Sequence, residues 1–225
     1  METNAYISEL LQNNNALFSA IYAFNNDILS YAHPDYLSGL PIDVLKALYA
    51  SPKSRGEATR YLRQALQLDE GEYNFSDPRS HLCLLPGEAA HKVVCYIGGI
   101  CFSEHIRKTI FGPELVKIRR ALGDDAYTFS LRTAQLFVKS NVAEKFQEDG
   151  STIVERMINT GRSLIEMSLA GISNSLLKRF LLKFPKNYGW NFQRKVDEPA
   201  YCFEFVKKVI KRALANDKGI AVAMI

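Results

Sequence analysis

Apolar positions recur at helical spacing along most of this chain, and short polar or glycine- and proline-containing stretches mark where one helix gives way to the next. Over residues 6–31, Ile7, Leu10, Leu11, Leu17, Ile21, Phe24 and Ile28 keep close to a helical period that the polar residues 12–15 interrupt, which predicts one helix or two short ones. Pro34, Gly39 and Pro41 then break the period, because proline lacks an amide N–H and fixes φ, and Pro41 is placed to open a helix over 42–50. Ser54 and Glu57 have the spacing of a capping box for a helix over 56–66. Residues 68–86 are rich in turn formers and acids without a sustained period and read as a loop.

Residues 88–110 are densely apolar, and Gly98–Gly99 weaken a helix there while admitting a second backbone at close range, so a buried helix pair is expected. Leu115, Ile118 and Leu122 mark another helix, ended by Gly123, with Asp124 or Asp125 capping a following one through Phe129 and Leu136. Thr152 and Glu155 repeat the capping-box spacing ahead of Ile153, Met157, Ile158, Leu164, Ile165 and Leu169, with Gly171 ending or bending that helix. Residues 175–185 form an apolar run too short to separate helix from strand by period. A last helix is expected from near Asp197, with Glu198 and Pro199 in its first turn and Phe203, Val206, Ile210 and Ala213 on one face. There is no internal repeat and no βα alternation, so the expected class is all-α with at most minor strand content, a compact irregular multi-helix fold.

A chain of 225 residues with 47% hydrophobic and 23% charged positions can bury a sizeable core. We expect a single helical domain over 1–225, with 68–87 as the place for any sub-boundary. No stretch approaches the roughly 18 uninterrupted apolar residues of a membrane span, and the first residues lack the basic and apolar regions of a secretory signal, so a cytoplasmic location is expected. The net charge of +4 is uneven: from Lys178 onward 11 Lys and Arg stand against 4 Asp and Glu. A basic final third suits nucleic acid, anionic lipid, an acidic protein surface or simply a solvated helix face.

Reactive chemistry is harder to find. Cys83, Cys95, Cys101 and Cys202 show neither CxxC spacing nor a paired-histidine pattern and read as buried thiols. His33, His81, His91 and His105 are scattered, and HExxH, P-loop and GxGxxG sequences are missing, so no metal or cofactor is expected. The nearest approach to a catalytic group is Cys95 or Cys101 with His91 or His105, but no orienting group or oxyanion-binding loop accompanies them, and a cysteine-dependent enzyme stays the lesser alternative. Asp124–Asp125 and Asp69–Glu70 fall at helix starts or in loops, where carboxylates favour the helix dipole and solvent. The other alternative is nucleic-acid binding by Lys178, Arg179, Lys183, Lys186, Arg194 and Lys195, interleaved with Phe180, Phe184, Tyr188, Trp190 and Phe192. No helix-turn-helix, RNP or zinc-finger pattern supports it.

Three separated segments together resemble the SctK family (the YscK, OrgA and MxiK group) of type III secretion sorting-platform adaptors. The first carries Phe24, Asn25, Tyr31, His33, Pro34 and Leu37; the second Gly98, Ile106 and Arg107; the third Gly161, Arg179, Leu182, Lys183, Phe184 and Pro185. The resemblance implies a helical, non-enzymatic adaptor, peripheral at the cytoplasmic face of the inner membrane, that docks on an SctD-like ring protein and holds an SctQ-like pod protein, with no small-molecule substrate. Tyr188, Trp190 and Arg194 are the expected contact residues, because Tyr, Trp and Arg are favoured interface anchors.

Overall fold

The computed structural model describes residues 2–109, 112–134, 137, 150, 152–193 and 199–215. Among these residues the secondary structure is helical throughout, without a strand. The helices are α1 (Glu2–Asn13), α2 (Asn15–Asn26), α3 (Ile28–Tyr31), α4 (Pro34–Leu37), α5 (Ile42–Ala50), α6 (Arg55–Ala65), a 3-10 helix (Pro78–Leu84), α7 (Gly87–Cys101), α8 (Ser103–Lys108), α9 (Gly112–Leu122), α10 (Asp124–Arg132), α11 (Ile153–Ser168), α12 (Asn174–Leu181) and α13 (Pro199–Ala213).

They fall into two units, one within 1–87 and 171–189, the other within 88–170 and 190–223. In the first, α1 turns into α2 at Asn14, whose side chain accepts the Leu17 N–H and so stops one helix and caps the next. An apolar cluster of Ile28, Leu45, Tyr49, Ala58, Leu62 and Leu182 joins α3, α5, α6 and the end of α12. The 3-10 helix lies where the pattern showed only a loop. Asp77 caps it by accepting the Arg79 N–H, and Pro78 supplies a first-turn residue that needs no N–H partner.

In the second unit α11 packs along α13 and α9, and α7 is buried almost throughout. Thr152 and Glu155 form both bonds of a capping box: Thr152 Oγ1 accepts the Glu155 N–H at 3.2 Å, and the Glu155 carboxylate accepts the Thr152 N–H at 3.2 Å. Phe203, Val206, Ile210 and Ala213 of α13 are all buried, as their spacing predicts. The segment at 175–185 is resolved as helix α12 followed by turns.

Two capping expectations fail. Ser54 is the N-cap residue of α6, but its hydroxyl donates to Leu48 O at 2.9 Å, at the end of the preceding helix, instead of accepting from its own first turn. At α10 the N-cap is Gly123, with φ of 81°, and Asp124 and Asp125 lie inside the first turn, where they favour the helix dipole without capping it. Leu136, Asp197 and Glu198, assigned to helix starts or faces from the sequence, lie outside the described residues.

Candidate functional site

The residues that carry the family-like pattern in the first unit converge on one polar seam through its interior. Asn25, fully buried on α2, donates to Glu72 O at 2.7 Å and accepts the Glu72 N–H at 3.0 Å, so one side chain pairs with a loop as a neighbouring strand would. Gly71 beside it has φ of 125°, and a Cβ there would stand 2.8 Å from Asn25 Oδ1. Position 71 must therefore be glycine twice over, for its backbone and for its neighbour.

Two buried cations lie one helical turn apart on α12 and just beyond it. Arg179, with no exposed surface, donates through Nη1 to Asp69 Oδ1 at 2.6 Å and to Ser175 Oγ at 2.8 Å, and through Nη2 to Asp69 O at 2.7 Å. Burial alone would raise the Asp69 pKa, but the bonds from Arg179 and Ser175 outweigh it and hold the carboxyl below its usual range. Lys183 meets no carboxylate among the described residues. Its Nζ donates to Cys83 O at 2.6 Å and Leu85 O at 2.7 Å and sits 4.7 Å from the Phe24 ring centroid and 5.4 Å from that of Tyr31. Desolvation lowers the Lys183 pKa from 10.5 to about 7.

The remaining positions of the pattern in this unit tie α3 and α4 to the chain after α12. Tyr31 stacks on Phe24 and donates its hydroxyl to Phe24 O at 2.8 Å, and burial raises its pKa. The His33 N–H donates to Leu182 O at 2.7 Å, its Nδ1 accepts the Asp35 N–H, and Pro34 opens α4. Asp35 in turn accepts the Lys186 N–H at 3.1 Å, and Pro185 O accepts that of Tyr188.

In the second unit the pattern works by subtraction. A Cβ at Gly98 of α7 would stand 2.5 Å from Met157 O on α11, and one at Gly161 of α11 would press still closer on Val94 O of α7. The two helices therefore cross with each glycine against the other's backbone. Gly99 instead faces a side chain, Ser130 Oγ on α10. Ile106 is buried, and Arg107 on α8 donates through Nε to Ser103 O at 3.2 Å.

His91 Nε2 and Cys95 Sγ do approach, at 3.6 Å. The pair is not activated: burial pushes the Cys95 thiol up to about 11 and lowers the pKa of His91, so both are neutral near pH 7 and a thiolate is disfavoured. All four cysteines are buried thiols outside any disulfide, and Cys83 and Cys101 are each pushed to about 12 by burial. Among the described residues no group of His, Cys, Asp and Glu is placed to hold a metal ion.

The basic-aromatic stretch is largely interior. Arg179, Phe180, Lys183 and Phe184 are buried and committed to the seam, which leaves Lys178 and Lys186 as its exposed cations among the described residues. Phosphates would have few charges to meet. Of the expected contact residues, Tyr188 is half-buried with its ring 4.9 Å from that of Phe184. Trp190 is half-buried and stacks on Phe192 at 5.7 Å, and the next residue, Asn191, donates its N–H to the buried Glu166 carboxylate at 2.6 Å. Arg194 lies outside the described residues.

Sequence reasoning missed an open groove of about 1260 Å³ in the first unit, walled by α2, α6 and the segment 68–73. Asn26 forms its floor, donating to Tyr73 Oη at 3.1 Å and accepting from Arg63 Nη2 at 3.0 Å, while Asn26 O accepts from the Thr59 and Tyr49 hydroxyls. Arg55, Arg60 and Arg63 line it opposite Asp27, Asp69 and Glu70, a balanced surface that suits polypeptide contacts better than one small ion. Only the run of arginines at 55, 60 and 63 on α6 hinted at it in the sequence.

Residues 20–217 match the family model described as YOP proteins translocation protein K (YscK). No curated protein and no solved structure matches the chain.

Proposed function

The chain belongs to the YscK family of type III secretion proteins, and on that premise we propose that it is a non-enzymatic adaptor that holds other components of the secretion machine together. Its partners in this reading are the cytoplasmic domain of an SctD-like inner-membrane ring protein and an SctQ-like pod protein of the sorting platform of an injectisome. That places it in the cytoplasm, peripheral at the inner-membrane base of the apparatus. It accords with this that no helix among the described residues is long and apolar enough to cross a membrane.

The observation that carries the proposal is the extent of the family match, which runs from within α2 past the end of α13 and so spans most of both helical units. The chemistry agrees with it. Polar groups at the family-like positions are spent on holding helices and loops in place, and the close His91–Cys95 pair is kept neutral. Tyr188, Trp190 and Arg194 are the proposed contact residues, because rigid aromatic side chains lose little entropy on docking and the first two are half-exposed.

Size-exclusion chromatography with light scattering tests the proposal on mixtures of the full chain with the ring protein's cytoplasmic domain and, separately, with the pod protein. A defined complex with each is expected at micromolar concentrations. No complex with either at moderate salt removes the adaptor reading.

A further inference from the structure

Among the described residues, the second unit carries an exposed cationic stripe whose charges meet no carboxylate within ion-pair distance. On α13, positions 201, 208 and 212 share a face, since 7 and 11 residues are close to two and three turns of an α-helix. They are Tyr201, 47% exposed, and the exposed Lys208 and Arg212, with exposed Lys211 alongside. Arg212 also lines a concavity of about 310 Å³ shared with α7 and α10, which brings Arg132 from α10 to the same place. The Arg212 guanidinium lies 5.6 Å from the Phe129 ring centroid, so it is held against an aromatic face and not free to sweep through solvent.

None of Arg132, Lys208, Lys211 and Arg212 forms an ion pair among the described residues. The acids nearby do not neutralise them: Asp124 is taken by Arg119, and Asp125 and Glu204 are exposed. We infer that this stripe, Tyr201, Lys208 and Arg212 with Arg132 across the concavity, is a docking surface for an acidic, Asp/Glu-rich segment of a partner protein. The inference rests on reading the chain as a binding protein and adds the chemistry of one partner.

Charge complementarity selects an anionic occupant, and the arrangement selects a peptide. Asp125 and Glu204 interrupt the positive field, so a membrane plane or a phosphodiester strand, charged at every step, would meet repulsion that a peptide avoids by placing neutral residues there. Tyr201 supplies an exposed aromatic anchor beside the cations.

The test uses the full chain and poly-glutamate as probe, with binding followed by fluorescence anisotropy at low and moderate salt. Binding is expected, weakening with salt, and about tenfold weaker in Arg132→Glu/Lys208→Glu/Arg212→Glu but unchanged in the control Lys46→Glu/Lys53→Glu, whose charges lie on the first unit. Should the triple reversal fail to fold, Lys208→Gln/Arg212→Gln gives the same readout. An equal loss in the control, no binding at low salt, or binding of anionic vesicles or single-stranded DNA through the stripe in place of the peptide overturns the inference. Complexes with the ring or pod protein that survive the triple reversal leave the adaptor reading standing without this surface; peptide binding through the stripe with neither complex formed leaves the reverse.

Discussion

The two units hold their interiors by opposite means. In the first, long polar side chains reach from helices to loops: Asn25 pairs with Glu72, Arg179 with Asp69, Lys183 with the carbonyls of Cys83 and Leu85. In the second, side chains are withdrawn so that helices can touch: Gly98 meets Met157 O and Gly161 meets Val94 O. Short helices and irregular connections leave backbone groups that need partners, and a polar side chain can supply them. Longer helices satisfy their own backbones, and what limits their packing is bulk. The first unit should therefore fail chiefly on lost hydrogen bonds, and the second on volume added where its helices cross.

The largest effect is expected at Gly161. Gly161→Val places branched atoms against the Val94 carbonyl, which is backbone and cannot swing away, so α7 and α11 must part. We expect a loss of about 3 kcal/mol, and about 2 for Gly161→Ala, in urea unfolding. Gly56, an exposed glycine on α6 where a Cβ would meet nothing within 4 Å, is the uncrowded control, and Gly56→Ala should cost nothing measurable. Comparable losses at the two glycines would mean that contact with the Val94 carbonyl does not set the cost at Gly161. Arg179→Ala comes next, at about 2–3 kcal/mol, because Asp69 O and Ser175 Oγ lose their donor. Arg179→Lys should recover less than half of it, since an ammonium cannot bridge two acceptors in the guanidinium's geometry.

What the sequence made legible follows this division. Caps and apolar faces built from neighbours in the chain were readable: the Thr152–Glu155 box, the buried face of α13, the four buried thiols and the glycine-mediated approach at α7. The partners of Arg179 and Lys183 were not, because they lie 110 and 100 residues away and a cation's spacing says nothing about an acceptor so remote. A hint was present, in that both cations fall on the apolar arc with Leu176 and Phe180 and not opposite it. The groove floored by Asn26 was equally out of reach, since it forms only when α2, α6 and 68–73 meet.

A smaller effect depends on pH. The unfolded chain keeps the Lys183 proton up to about pH 10.5, whereas the folded chain releases it above about 7. Between those values unfolding takes up a proton, so stability rises with pH. From about pH 8.5 the buried thiols oppose this, because Cys83, pushed up to about 12, keeps a proton that the unfolded thiol loses. Between pH 7 and 8.5 the wild-type unfolding free energy should rise by up to about 2 kcal/mol, and Lys183→Met should be flat. An equal slope in the variant would assign the effect elsewhere.

The smallest effect lies at the two capping-box sequences. In the second unit Thr152 and Glu155 serve each other, so Thr152→Ala should cost about 1 kcal/mol and the cost should shrink once Glu155 is alanine. In the first unit Ser54 Oγ reaches back to Leu48 O while Glu57 pairs with Arg60. Ser54→Ala should therefore cost about 0.5–1 kcal/mol whether or not Glu57 is present, the two changes simply adding. Two double-mutant cycles followed by urea unfolding distinguish the cases. Coupling at 54–57 as strong as at 152–155 would mean that Ser54 caps its own helix in solution and that the first unit is not stitched across its elements at that point.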